Sequence, residues 1–157
     1  MTYKRLSSRI LSELRKDGRQ SLRELAEKFE VSATTVGKRL DQLKQEGSLR
    51  GISADIDYEQ LGYSYNAITR FKVQGDQIEE ALEQLKAHPY LNEIYEITGN
   101  YDILAIGRYH DRDQMNKIIK ELQGHPAIVA TNTSIILNTH RESAPLPLEG
   151  AEKSASD

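Results

Sequence analysis

Through the first 47 residues the apolar positions recur three or four apart, the spacing that lines one face of a helix. Leu6, Ile10, Leu11 and Leu14 make the first stripe, which ends at Asp17-Gly18, glycine being a natural helix stop. A second helix opens at Ser21-Leu22-Arg23-Glu24. This is a capping box, in which the Ser hydroxyl and the Glu carboxylate satisfy free amides at the helix start. Leu22, Leu25, Ala26 and Phe29 form its inner face. Only Glu30 and Val31 separate it from Ser32, which caps a third helix carrying Val36, Leu40 and Leu43 and stopping at Gly47. Leu49, Ile52, Ala54 and Ile56 then predict short strands around Arg50-Gly51, a small wing.

From residue 64 the period changes. SYNAITRFKVQ alternates Ala67, Thr69, Phe71 and Val73 with polar neighbours, as a half-buried strand does. A helix with Ile78, Ala81, Leu82 and Leu85 on one face stops at His88-Pro89, because proline disfavours helix at the residue before it. YLNEIYEIT, a tight GNYD turn and DILAIGRY predict a hairpin. A helix with Met115, Ile118, Ile119 and Leu122 stops at His125-Pro126, and AIVATNTSIILNT is the last strand. The order is β-α-β-β-α-β, the ferredoxin-like arrangement. LKAHPYLNEI and LQGHPAIVAT repeat each other across the two halves, which supports the topology independently of strand propensity.

The predicted class is α+β: a winged helix-turn-helix over residues 1–52, a linker or wing strand over 53–63 and a ferredoxin-like domain over 64–141. Residues 142–157, rich in Pro, Ala, Ser and charge, are expected to be a disordered acidic tail. A sheet with helices on one face leaves the other to be covered. Ala67, Ile68, Ile94, Ile97, Ile103, Leu104, Ile106, Ile135, Ile136 and Leu137 supply apolar side chains for both faces, so a homodimer through the second face is expected.

Charge sharpens this division. The net charge of −3 hides a first segment, 1–52, with 12 Lys and Arg against 7 Asp and Glu (12 − 7 = +5), and a remainder with 9 against 17 (9 − 17 = −8). A basic module joined to an acidic one points to a polyanion as partner of the first. Its third helix begins SATT, small and hydroxylic, with Lys38 and Arg39 one turn on. In a helix-turn-helix the start of the last helix enters the major groove. Ser32, Thr34 and Thr35 are therefore candidates for base edges, and Lys38, Arg39 and Arg50 for phosphates. The expected partner is double-stranded DNA.

The segment TGNYD, Thr98 to Asp102, is the candidate ligand site. A turn between strands needs Gly99, and Asn100 tolerates unusual backbone angles. Tyr101 and Asp102 are less well explained by a turn. Asp102 offers a carboxylate to an ammonium group, and amides near Gly99 offer donors to a carboxylate, which together suit an α-amino acid head. His88, His110, His125 and His140 show no metal-ligand spacing, and no phosphate-binding glycine loop occurs. The chain has no cysteine, so thiolate metal sites and disulfides are excluded. Neither catalysis nor a cofactor is indicated. No apolar run approaches the ~20 residues a membrane helix needs, and MTYKRLSSRILSEL lacks the apolar core of a secretory signal. A cytoplasmic protein is expected.

From about Leu6 to Glu142 the chain resembles the Lrp/AsnC family of transcription regulators, on LRKDGRQSLRELAEKFEVSATTVGKRLDQLKQEGSLRG and the Gly99-Asn100-Tyr101-Asp102 motif. The resemblance implies an N-terminal DNA-binding domain and a C-terminal ferredoxin-like (RAM-type) domain that dimerises, assembles further, commonly to octamers, and usually binds an amino acid. It also implies a cleft between subunits in which the TGNYD segment faces a neighbour's last strand, where Thr131, Thr133 and Ser134 stand here. In one departure, the turn between helices two and three has Glu30 where the family normally has glycine, at a cost on the order of 1 kcal/mol in a left-handed turn. The rival functions are an architectural protein that wraps DNA without an effector, and an amino-acid-sensing regulatory subunit of a metabolic enzyme.

Overall fold

The computed structural model describes residues 3–148, which divide into two compact units. The first comprises α1 (Tyr3–Lys16), α2 (Leu22–Phe29) and α3 (Ala33–Gln45). Leu6, Ile10 and Leu14 of α1 meet Leu25, Ala26 and Phe29 of α2 and Val36 and Leu43 of α3 in one core. The capping box forms: Glu24 N donates to Ser21 Oγ at 3.2 Å, and Ser21 N donates to Glu24 Oε2 at 2.6 Å. Glu30 ends α2 in the left-handed region, at φ 55° and ψ 44°. The strain is offset locally, since the Glu30 amide bonds the Ala26 and Glu27 carbonyls and the Val31 amide bonds Ala26 O at 3.1 Å. The glycine at 18 serves a different purpose from a left-handed helix stop. A Cβ there would lie 2.4 Å from Ile52 Cγ2, so Gly18 lets the segment after α3 lie against the end of α1.

The predicted wing does not form. Residues 48–57 hold no strand, and Ile52 and Ile56 are exposed. The apolar alternation is present, but a strand needs a ladder partner, and the described residues offer this segment none. The linker also divides differently from the expectation. The first unit runs to Asp55, and residues 56–63 belong to the second. Residues 143–148 carry no helix or strand and group with the first unit, where Arg15 Nη1 donates to Leu146 O at 2.7 Å. The rest of the expected tail, 149–157, lies outside the described residues.

The second unit is β1 (Tyr65–Val73), α4 (Ile78–Lys86), β2 (Leu91–Glu96), β3 (Ile103–Tyr109), α5 (Arg112–Gln123) and β4 (Ile128–Ile135). The antiparallel sheet has the order β2-β3-β1-β4, as the ferredoxin-like topology requires. Ala67, Thr69, Phe71 and Val73 of β1 and Ile103, Ala105 and Tyr109 of β3 are buried on one side, against Ala81 and Leu85 of α4 and Met115, Ile118 and Leu122 of α5. Ile103, expected with Ile68 and Ile136 to be buried against a second copy, is instead fully buried on the helix side, because it shares the β3 face of Ala105 and Tyr109, and Ile94 packs on that side too. The alternation leaves Ile68, Leu104 and Ile106 half-buried on the open side. The internal repeat is kept at atomic detail. His88 Nδ1 accepts from Tyr90 N at 3.4 Å and His125 Nδ1 accepts from Ala127 N at 3.3 Å, each after a helix C-terminus.

A charge cluster closes the first unit. Glu13 accepts from Lys16 at 2.8 Å and from Lys28, and these partners pull its carboxyl from 4.5 down to about 2, Lys16 contributing most. A depressed folded pKa stabilises above the unfolded value, and that stability is lost as pH falls through the folded one. We expect the first unit to lose on the order of 1 kcal/mol as pH drops from 4.5 toward 2, read by thermal unfolding. Glu13→Gln should flatten that dependence. An unchanged acid profile in the variant would show that Glu13 carries none of it.

Candidate functional site

The third helix is held by two contacts that leave part of its surface clear. Ser32 Oγ accepts from Thr35 N at 3.1 Å and lies 2.8 Å from Thr35 Oγ1, so Ser32 acts as the N-cap and engages the Thr35 hydroxyl. Arg39, one of three cations expected on phosphates, is half-buried and donates through Nε to Ser7 Oγ of α1 and through Nη1 to Gln42 Oε1 at 2.6 Å. Gly37 backs onto α2, where a Cβ would lie 3.4 Å from Leu22 Cδ1. Thr34 and Lys38, one turn apart, are exposed, as is Arg50 in the segment after α3. Sequence reading missed the role of Ser7. Its signal was faint: one of three serines in α1, with Ser8 and Ser12, set beside the apolar positions.

In the second unit the TGNYD segment forms the β2-β3 turn, with Ile97 N donating to Asp102 O at 2.8 Å. Gly99 alone takes a left-handed angle, φ 114°, and Asn100 does not need one. Thr98, Gly99 and Asn100 are exposed, and Tyr101 and Asp102 half-buried. Both oxygens of Asp102 are engaged. Oδ2 accepts from Val73 N at 2.8 Å and Oδ1 from Lys72 Nζ at 3.0 Å. The Val73 amide first, and then Lys72, hold this carboxyl below its ordinary range.

The three β4 candidates do not share a face. Thr131 and Thr133 pair with Phe71 and Thr69 on the helix side, with 3.1 Å between the Thr133 and Thr69 hydroxyls. Ser134 pairs with Ile68 on the open side. Strand β1 stands between β4 and the hairpin, so within one chain the two groups lie about two strand spacings, ~10 Å, apart. Among the described residues no group of three or more His, Asp or Glu is placed to hold a metal, and no helix is long and apolar enough to cross a membrane.

The comparisons with known proteins agree with this architecture. Residues 5–44 match the AsnC-type helix-turn-helix domain and residues 66–146 the Lrp/AsnC ligand binding domain. The chain belongs to the Lrp/AsnC family of transcriptional regulators. It is 34% identical over 137 residues to an HTH-type transcriptional regulator of Pyrococcus furiosus, covering 87% of this chain and 93% of that one. It is 31% identical to HTH-type transcriptional regulator FL11 of Pyrococcus horikoshii, covering 92% and 95%. The solved structure of E. coli AsnC superposes with a TM-score of 0.85 at 28% identity, covering 90% and 97%. This Lrp/AsnC regulator is therefore a DNA-binding protein with a ligand-binding domain and not an enzyme, and the enzyme-subunit reading is set aside.

The Arg39 contact gives a structural expectation for the regulator. Arg39→Ala should destabilise the first unit by about 1–3 kcal/mol, since it removes hydrogen bonds from a charged donor to a buried hydroxyl. Chemical denaturation of the variant beside Ser7→Ala checks this. The two losses should fall well short of additive, because each breaks the same contact.

Proposed function

We propose that the regulator binds DNA sequence-specifically as a dimer, each copy presenting α3 to half of a roughly palindromic site, under control of a small amino acid. The observation that carries the DNA reading is the division of labour on α3. Ser32 and Arg39 are occupied within the unit, while Thr34 and Lys38 are exposed on the remaining face. Thr34, with Thr35 beside it, reads base edges, and Lys38 and Arg50 meet phosphates. Arg39 acts chiefly by holding the helix. Half-buried Ile68, Leu104 and Ile106 on the open sheet face support pairing with a second copy. DNA as partner implies work in the cytoplasm.

In this reading the effector binds where dimers meet in a higher oligomer such as an octamer. Thr98 to Asp102 of one chain there face Thr131, Thr133 or Ser134 of another. A Neisseria meningitidis regulator with the same fold, at 23% identity and a TM-score of 0.84, is described in complex with L-Met, which supports an amino acid as the ligand class. Lys72 already sits on Asp102, so the ligand's ammonium would take the place of the lysine's. That same occupancy favours a second reading, an architectural DNA-wrapping protein in which Asp102 only fastens the hairpin to β1.

Anisotropy titrations with duplex DNA at several salt concentrations test the first half. Lys38→Ala should weaken binding to all sequences alike and lower the dimer's salt slope by about two, one for each copy, whereas Thr34→Ala should change which sequence is preferred. An unaltered slope in Lys38→Ala removes that cation from the interface. Calorimetry across the common amino acids tests the second half, with Asp102→Asn as the variant, since Asn keeps an acceptor for Val73 N while losing the charge. Affinity should fall about tenfold or more with the charge-assisted bond gone. No heat with any amino acid would favour the architectural protein.

A further inference from the structure

The segment before β1 is hydrogen-bonded within itself and fastened to the rest of the second unit by a cluster that nothing in the sequence pattern announced. Asp57 Oδ1 accepts from Glu59 N at 3.1 Å and Gln60 N at 3.2 Å, and Tyr58 O accepts from Leu61 N at 3.1 Å and Tyr63 N at 3.0 Å. The Tyr58 and Tyr63 rings meet edge to face at 5.7 Å. The Tyr63 ring lies 4.2 Å from that of His110, whose Nδ1 is 3.0 Å from Gly62 O. The Arg108 guanidinium sits 5.1 Å over the Tyr58 ring. Arg108 also donates to Glu142 Oε1 at 2.5 Å and to Asn66 Oδ1 at 3.4 Å.

These partners stand at the two ends of the unit. The second unit runs from Ile56 to Glu142, so Tyr58 lies just inside the point where the chain comes in and Glu142 is the last residue before it leaves. One guanidinium on β3, its side chain only 16% exposed, therefore ties both crossings to the sheet. A cation so far removed from water is held by what it touches: a carboxylate on one side and an aromatic face on the other. The tie uses arginine's shape, since a planar group can stack on a ring while its edge donates.

We propose that Arg108 is a positioning residue for DNA binding: by fastening both chain crossings to the sheet of the ligand-binding unit, it fixes where each DNA-binding unit starts relative to the dimer. This rests on the reading of a dimer that binds two half-sites. Without the tie each DNA-binding unit keeps its own contacts but loses a fixed origin, so the pair gains tolerance to the phase between half-sites and loses effective concentration at the second. Tyr58 is the partner through which this acts on the N-terminal crossing.

The test uses full-length protein and a duplex selected by the wild type from a random pool, with inserts of about 5 and 10 base pairs, half and one helical turn, between its half-sites. Wild type should lose about tenfold or more in affinity with the half-turn insert and recover with the full turn. Arg108→Met and Tyr58→Leu should bind a single half-site as wild type does, yet tolerate the half-turn insert within about threefold. A simple loss of fold would instead lower half-site binding as well. Tyr58 is 39% exposed, so its variant carries the test should Arg108→Met not fold. Full phase dependence in Tyr58→Leu, or in a folded Arg108→Met, overturns the proposal. A wild type indifferent to the half-turn insert overturns the dimer reading, and the proposal with it.

Discussion

Strand β1 is the constraint on which the second unit depends. Like β3 it pairs on both sides, with β3 along Tyr65–Phe71 and with β4 along Ala67–Val73, and its side chains alternate between two environments. Ala67, Thr69, Phe71 and Val73 are committed to the helices, and Ile68, Arg70 and Lys72 to the open face. A shift of one residue would exchange the two sets, so register and the identity of the open face are one decision. The same strand receives the rest of the fold. Asp102 reaches it through the Val73 amide and Lys72, Asp102 N donates to Phe71 O at 2.9 Å, and Arg108 reaches Asn66. The ligand hairpin and the cluster around the linker are thus fastened to opposite ends of one strand.

The first unit solves a different problem: presenting a polar helix rigidly with little core to spare. Two devices do this. The turn before α3 carries Glu30 at a left-handed angle that glycine would adopt at no steric cost, and the Glu30 and Val31 amides recover hydrogen bonds to Ala26 and Glu27. Arg39 then fixes α3 on α1 through Ser7. The second device explains why two adjacent cations behave differently. At neighbouring helix positions they point about 100° apart, so one faces α1 and the other faces outward.

What the sequence made legible was local. Caps, stripes, the proline stops and the HPx repeat act within a few residues, and each helix and strand of the second unit stands where its period predicted. What it concealed were contacts across the chain. Arg39 and Ser7 are 32 residues apart, Asp102 and Val73 29, Arg108 and Glu142 34, and no periodicity relates them. The wing erred for a related reason. Alternation announces a capacity to pair, and Leu49 to Ile56 have that capacity without a partner among the described residues. TGNYD was legible as a motif, but the partners that hold Asp102, Lys72 and the Val73 amide, lie on another strand and were not.

The occupied state of Asp102 bears on how a ligand could act there at all. A carboxylate fixed by a backbone amide keeps its position whatever happens to its second oxygen, so the site is preorganised and only Lys72 has to move. That lysine is 43% exposed, and an ion pair so open to water contributes about 0–1 kcal/mol, which makes it cheap to displace. A zwitterion would return what it takes, offering an ammonium to Asp102 and a carboxylate to the released lysine. An amine without a carboxylate would leave Lys72 without an anion, and a carboxylic acid without an amine would add an anion beside Asp102. The pair therefore discriminates by charge pattern before any side-chain pocket is involved. Since Lys72 pairs with Ala130 of β4 on the open face, the displaced cation would move on the surface proposed to meet another copy. Binding and assembly would then share a residue, and linkage requires that each alter the other by the same factor.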